Sequence, residues 1–155
     1  MTLETIMTKH VVTVSMDDTL GNIRDMFERF KFHHVVVVDD CKPVGVISDR
    51  DLLKHLSPFV GKVSERPMDA ASLKKKAHQV MSRDLIAATP QTPIAEAAIM
   101  LMHNGISCLP VLADNGACIG IVTWRDLLRW SLEHMAVNPC APKDACACNP
   151  SRRAA

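Results

Sequence analysis

Two short stretches each set a hydroxyl three residues ahead of a carboxylate: Ser48-Asp49-Arg50-Asp51 and Thr123-Trp124-Arg125-Asp126. Both follow an apolar run and lead into Leu-Leu. The spacing has two chemical readings. One is a capping box, in which side chain and backbone satisfy each other at a helix start, worth about 1 kcal/mol per helix. The other is a ligand anchor. A helix start offers unpaired N–H groups and the positive end of a dipole, which suits an anion. The hydroxyl of Ser48 or Thr123 can bond a phosphate or a sugar oxygen. Asp51 and Asp126 can accept both hydroxyls of a ribose diol, and Arg50 and Arg125 carry forked donors that match a phosphate. The two readings are compatible.

The elements that position these residues are also written twice. Met7-Thr8 returns as Met81-Ser82 and Leu20 as Ile94, each 74 residues on; Gly45 returns as Gly120 and Asp51 as Asp126, each 75 on. One residue inserted in the Asp114-Asn115-Gly116 turn accounts for the change, since surface turns tolerate insertion. Each repeat predicts an extended segment (Val11 to Val14, Leu85 to Ala88), then an amphipathic helix. Asp18 or Thr19 caps the first helix. Thr92 caps the second, with Pro93 at its first position and Gly105 as its stop. A buried strand follows (Val35 to Val38, Leu109 to Leu112), then a polar turn, a second strand (Val44 to Ile47, Ile119 to Val122) and the helix opened by Ser48 or Thr123. Between the repeats, Ser57-Pro58 breaks a helix and Asp69 caps a short one ending near Val80. Residues 1–60 form repeat one, 61–79 a helical connector, 80–135 repeat two and 136–155 a flexible tail.

Composition narrows the function. A 48% hydrophobic content supports a buried core. Lys plus Arg is 18 against 17 for Asp plus Glu. A general nucleic-acid binder would show a basic excess, so nucleic acid is an unexpected partner. Tyr is absent and Phe and Trp are few, which removes an aromatic platform for stacked bases. The start of the chain carries no basic segment before an apolar one, and the longest strongly apolar run, Val35 to Val38, is far too short to span a membrane. The expectation is a soluble cytoplasmic protein.

Other residues admit chemistry more weakly. The apolar letters Val12, Ile86, Val35 and Leu109 can sandwich a flat base while backbone groups read its edge. His33 and His34 are adjacent on an extended segment and point to opposite faces, which disfavours a shared metal; one of them can reach a phosphate. Lys9, His10 and Arg83 can line a cleft mouth. Lys74 to Lys76 reads as a solvated face. Met26, Met100 and Met102 read as core or dimer-face residues. Cys41, Cys108 and Cys118 read as small core residues. Cys140, Cys146 and Cys148 supply three thiols without a fourth ligand, so reactive thiols on a flexible tail are expected and a metal is not.

The order of these pieces resembles the cystathionine-β-synthase (CBS) domain pair, or Bateman module. The resemblance rests on Ile6-Met7-Thr8 with Val80-Met81-Ser82, on Leu109 to Asp114, and on Gly-x-x-Ser/Thr-x-x-Asp-Leu-Leu in both halves. It covers residues 3 to 135. It implies an α/β fold of two β-α-β-β-α units packed sheet to sheet about a pseudo-two-fold axis. It also implies two clefts that take adenosyl compounds: AMP, ADP, ATP, S-adenosylmethionine or a dinucleotide. The implied ligand-facing set is Thr13, His34, Ser48, Arg50, Asp51, Ile86, Leu109, Pro110, Thr123, Arg125 and Asp126. Such modules regulate an attached or partner protein, usually as homodimers. Here the expected role is an adenine-nucleotide sensor acting in trans on a separate client. The alternatives are a ligand-free interaction module or a binder of S-adenosylmethionine or a dinucleotide. No nucleophile–base pair, paired carboxylates or complete metal set is visible, so catalysis is not expected. Val36 replaces the proline that Pro110 supplies in repeat two. Asp49 stands opposite Trp124, so the two clefts are not expected to be equivalent.

Overall fold

A computed structural model describes residues 1–135. The first repeat contains β1 (Thr13–Ser15), α1 (Leu20–Phe30), β2 (His34–Asp39), β3 (Lys42–Ser48) and α2 (Asp49–His55). A connector carries α3 (Pro67–Ala71) and a 3-10 turn, Ser72–Lys74, and a second 3-10 turn, Ala77–Gln79, opens the segment that leads into the second repeat. The second repeat contains α4 (Ile94–Asn104), β4 (Cys108–Leu112), β5 (Cys118–Thr123) and α5 (Trp124–His134). In the first sheet β1 runs parallel to β2, and β2 antiparallel to β3. In the second, β4 and β5 are antiparallel. Both hairpins carry an irregularity at matching places, Val37/Val38 and Val111/Leu112. Val38 pairs with Pro43 and Leu112 with Cys118, so the second loop is one residue longer.

The continuous apolar runs are explained by burial on both strand faces. Val35 and Val37 join Leu20, Ile23 and Phe27 under α1, while Leu109 and Val111 join Ile94, Ala97 and Leu101 under α4. Val36 and Pro110 are fully buried yet belong to neither helix-side cluster. The strand period of two puts them on the opposite faces, where the two sheets pack.

The segments that lead into each repeat are exchanged. Thr8 exchanges backbone bonds of 3.0 Å with Ile121 of β5, and Leu3 is buried in the second core. Ser82 exchanges bonds of 3.0 and 3.1 Å with Val46 of β3, and Ala77, Val80 and Met81 are buried in the first core. Gly45 and Gly120 sit where these lead-ins cross, each with a methionine sulfur closer than a Cβ could tolerate.

Several local expectations need correction. Leu85 to Ala88 is not a strand: Leu85 N turns back to the Arg83 carbonyl, and Ala88 alone bridges β4 at Val111. Thr92 does not cap α4. Its hydroxyl accepts from Thr89 N at 3.0 Å inside the preceding turn, and Pro93 takes the cap position. Asp69 lies inside α3 rather than before it, accepting from Arg66 N at 2.9 Å and Ser57 Oγ at 2.6 Å, and the helix ends at Ala71. These two bonds, Ser57 first, hold its carboxyl below the ordinary value of 3.8. Cys41 is exposed in the β2–β3 turn at a φ of 65°, and Cys118 is half-buried; of these three, Cys108 alone is a core thiol, pushed by burial up to about 12. Met102 is exposed, whereas Met26 and Met100 pack on the cores. Of the lysine run, Lys75 Nζ donates to the His55 carbonyl at the end of α2, and Lys76 Nζ to the Asp17 carbonyl. Thr19 caps α1 through Asn22 N, and Gly105 closes α4 at a φ of 61°, both as expected. Residues 136–155, with Cys140, Cys146 and Cys148, lie outside the described residues.

Candidate functional site

Both hydroxyl–carboxylate pairs cap helices. Ser48 Oγ donates to Asp51 Oδ2 at 2.6 Å and accepts from Asp51 N at 3.2 Å, while Ser48 N donates to the same carboxylate oxygen at 3.1 Å. Thr123 N and Oγ1 donate to Asp126 Oδ2 at 2.8 and 2.7 Å. Capping therefore uses Oδ2 of Asp126 and leaves Oδ1 with lone pairs for a further donor.

A cavity of about 450 Å³ opens between the repeats. That is large enough for a small organic ligand. Thr8, His10, Val11 and Val12 form one wall, leading from the exchanged segment into β1. Phe32, His33 and His34 enter from the start of β2, with Ser48, Asp49 and Arg50 beside them. The second repeat contributes Ser107, Ile121 and the first turns of α5: Thr123 to Asp126, and Arg129.

Polar contacts tie the walls together across the repeat boundary. His34 Nε2 and Ser107 Oγ share a bond of 2.7 Å. His33 Nδ1 meets Asp49 Oδ2 at 2.7 Å. Burial alone would raise the Asp49 carboxyl, but the bonds from His33 and Arg50 N hold it below 3.8. Asp49 thus faces its own histidine. On the matching position Trp124 is half-exposed, with the Arg125 guanidinium 5.7 Å from its ring centre.

Burial lowers the pKa of His34 from 6.5, with Asp49 and Asp51 opposing that shift and His33 and Arg125 adding to it. A protonated His34 is thus disfavoured in the folded state, while the unfolded chain still takes up that proton below 6.5. Its contribution is complete above that pH and is lost as pH falls through the folded value. Denaturation midpoints measured across this window should decline on acidification in the wild type, well above the range where Asp49 and Asp69 titrate. In His34→Gln, which keeps a donor or acceptor for Ser107 but no titration, the decline should flatten. An unchanged slope would remove His34 as its source.

Of the residues expected to face a ligand, His34, Ser48, Arg50, Thr123, Arg125 and Asp126 line this cavity. His10 lines it too; Lys9 and Arg83 do not, and Arg83 donates to the His78 carbonyl instead. Thr13 is exposed on β1, Leu109 and Pro110 are buried, Ile86 is half-buried against the second core, and Asp51 is held in its box. The repeat offset carries Val12 onto Ile86 and Asp126 onto Asp51, so Ile86 and Asp51 belong to the position related to this cavity by the pseudo-two-fold. Thr8, Phe32, Ser107, Ile121 and Arg129 were not expected. Ser107 had a signal, being the repeat mate of His33. Arg129 had one as well, lying one turn beyond Arg125 on the same helix face. Among the described residues no group of three His, Cys, Asp or Glu could hold a metal ion. No described helix is long and apolar enough to cross a membrane.

Two exchanged α/β repeats with a polar, ligand-sized cleft between them define a paired binding module. The CBS domain family model matches residues 3–58 and 77–133, and the chain belongs to that family as a tandem pair. Among curated proteins it is 33% identical over 125 residues to a CBS domain-containing protein from Dictyostelium discoideum, covering 79% of this chain and 86% of the relative. It is 31% identical over 125 residues to inosine-5′-monophosphate dehydrogenase from Methanocaldococcus jannaschii, covering 80% of this chain but only 22% of that enzyme. The likeness to the enzyme thus leaves most of it unmatched. Among solved structures, the CBS domain pair of protein MJ0100, in complex with 5′-methylthioadenosine and S-adenosyl-L-methionine, superposes with a TM-score of 0.72 at 25% identity, covering 86% of this chain and 97% of the other. The CBS domain of a membrane protein from Sphaerobacter thermophilus superposes with a TM-score of 0.70 at 30% identity, covering 83% and 86%.

Proposed function

We propose that this protein is a regulatory module that binds an adenine nucleotide between its repeats and signals to a partner protein in trans. The observation that carries the reading is the cleft itself. A carboxylate with one oxygen outside its cap, an apolar wall at Val11 and Val12, and guanidinium groups from both repeats converge on one ligand-sized space. Asp126 Oδ1 suits a ribose hydroxyl, the apolar wall a base, and the arginines a phosphate. The adenosyl ligands of the MJ0100 pair support the base and ribose part of this assignment. A ligand that touches both repeats can shift their arrangement if it binds one arrangement more tightly than another. The module acts as a homodimer in this reading, supported by apolar side chains left exposed on α4 and α5: Ile99, Met102, Leu128 and Leu132.

Isothermal titration with AMP, ADP, ATP, S-adenosylmethionine and NADH tests the reading. An adenine nucleotide should release heat with micromolar affinity. Asp126→Ala should weaken it about tenfold, the scale of one lost charge-assisted bond, while circular dichroism shows the fold retained. Silence from every adenosyl compound, with folded and ligand-free protein, would leave an interaction module in its place.

A further inference from the structure

We infer that the cavity takes a ligand bearing at least two linked phosphates, and that Arg50 and Arg129 set that number from opposite walls. The inference rests on the adenine-nucleotide reading and narrows it. Fixed charge decides the case. Arg50 enters from repeat one, and Arg125 and Arg129 enter from α5 of repeat two. Among the described residues neither Arg50 nor Arg125 makes an ion pair, and Arg129 Nη1 only approaches Asp126 Oδ1, at 4.0 Å. Of the two acids of the cavity, Asp49 faces His33, and Asp126 holds the cap of α5 with Oδ2 and keeps Oδ1 outside it, so three guanidinium groups stand against two carboxylates. His10, His33 and His34 line the same space and add ring nitrogens.

A lone phosphate is satisfied by one or two forked guanidinium groups. Three such groups, drawn from both repeats around about 450 Å³, match a longer anion laid across the boundary. A nucleoside carrying a sulfonium centre would instead bring positive charge toward them, which they disfavour. The same excess predicts that tighter binding goes with steeper salt dependence.

Calorimetric titration of the full chain with ATP, ADP, AMP, S-adenosylmethionine, 5′-methylthioadenosine and inorganic triphosphate separates the possibilities. Affinity should fall in the order ATP, ADP, AMP, with S-adenosylmethionine weaker than AMP. Arg50→Ala and Arg129→Ala should each weaken ATP about tenfold and AMP by less than about threefold, because AMP does not reach both walls. Neither residue is a cap or a core residue, so both variants should fold. Equal binding of AMP and ATP, or S-adenosylmethionine or 5′-methylthioadenosine matching ATP, would overturn the phosphate count while leaving the adenosyl reading in place. Triphosphate as tight as ATP would show that no base is read and overturn the nucleotide assignment. No binding by any adenosyl compound would overturn both.

Discussion

Gly45→Ala is expected to destabilise the protein by about 2 to 3 kcal/mol, at the upper end of the usual cost of overpacking, and Gly120→Ala by only about 1 kcal/mol. The two glycines are repeat mates, and each lies under an exchanged lead-in segment. Their neighbours differ in kind. A Cβ on Gly45 would come within 2.7 Å of Met81 Sδ and 2.8 Å of the Ser82 carbonyl oxygen. That oxygen already accepts from Val46 N at 3.1 Å, so it cannot retreat without weakening a ladder bond. A Cβ on Gly120 would come within 2.6 Å of Met7 Sδ and 3.1 Å of its Cγ, and no backbone atom is among its nearest neighbours. A methionine end can swing to another rotamer; a paired carbonyl cannot. At about 2 to 4 °C per kcal/mol for a chain of this size, Gly45→Ala should melt roughly 5 to 10 °C lower. Denaturant titration of both variants checks the order. Equal costs would show that the backbone clash at Ser82 is relieved by movement of the whole lead-in.

The same two positions show how much of the fold could be read from the chain. Gly45 and Gly120 were visible as repeat mates, and Val35 to Val38 as a buried strand, because burial on two faces leaves an unbroken apolar run. The reason for the glycines was not visible. The letters around Leu3, Met7, Val80 and Met81 are apolar, but local spacing does not say against which core each segment packs. Exchange between repeats is a tertiary choice, and local spacing does not encode it. Leu85 to Ala88 failed for a related reason. Its letters suit a strand, but β-propensity reflects a partner as much as a residue, and only Ala88 finds one.

The site divides along the same line. Ser48, Asp51, Thr123 and Asp126 announce themselves by spacing, and the structure satisfies the capping reading at both. Arg50 and Arg125 come with the motif. Thr8, Ser107 and Arg129 reach the cavity only because the repeats pack against each other. The His34–Ser107 bond joins residues 73 apart, which no motif of local spacing can find. Sequence thus supplied the anchors, and packing supplied the walls.

Leu3→Ala is expected to cost about 3 kcal/mol, within the range for emptying a fully buried leucine site, and to do so in the second repeat although the residue precedes the first. Leu3 is 0% exposed and packs with Ala88, Ile94, Ala97, Leu101 and Leu109. Its N–H donates to the Thr92 carbonyl at 3.0 Å, which fixes the segment to the turn before α4. Its repeat mate is Ala77, equally buried in the first core, so the first repeat has no comparable side chain to lose. Hydrogen exchange locates the damage. Amides of α4 and β4 should lose protection while those of β2 keep theirs, since local opening follows the packing that was removed. Ligand affinity should fall as well, because Thr8 and His10 follow in the same segment and form part of the cavity wall. A cost under about 1 kcal/mol, or protection lost evenly from both repeats, would show that the lead-in is not what closes the second core.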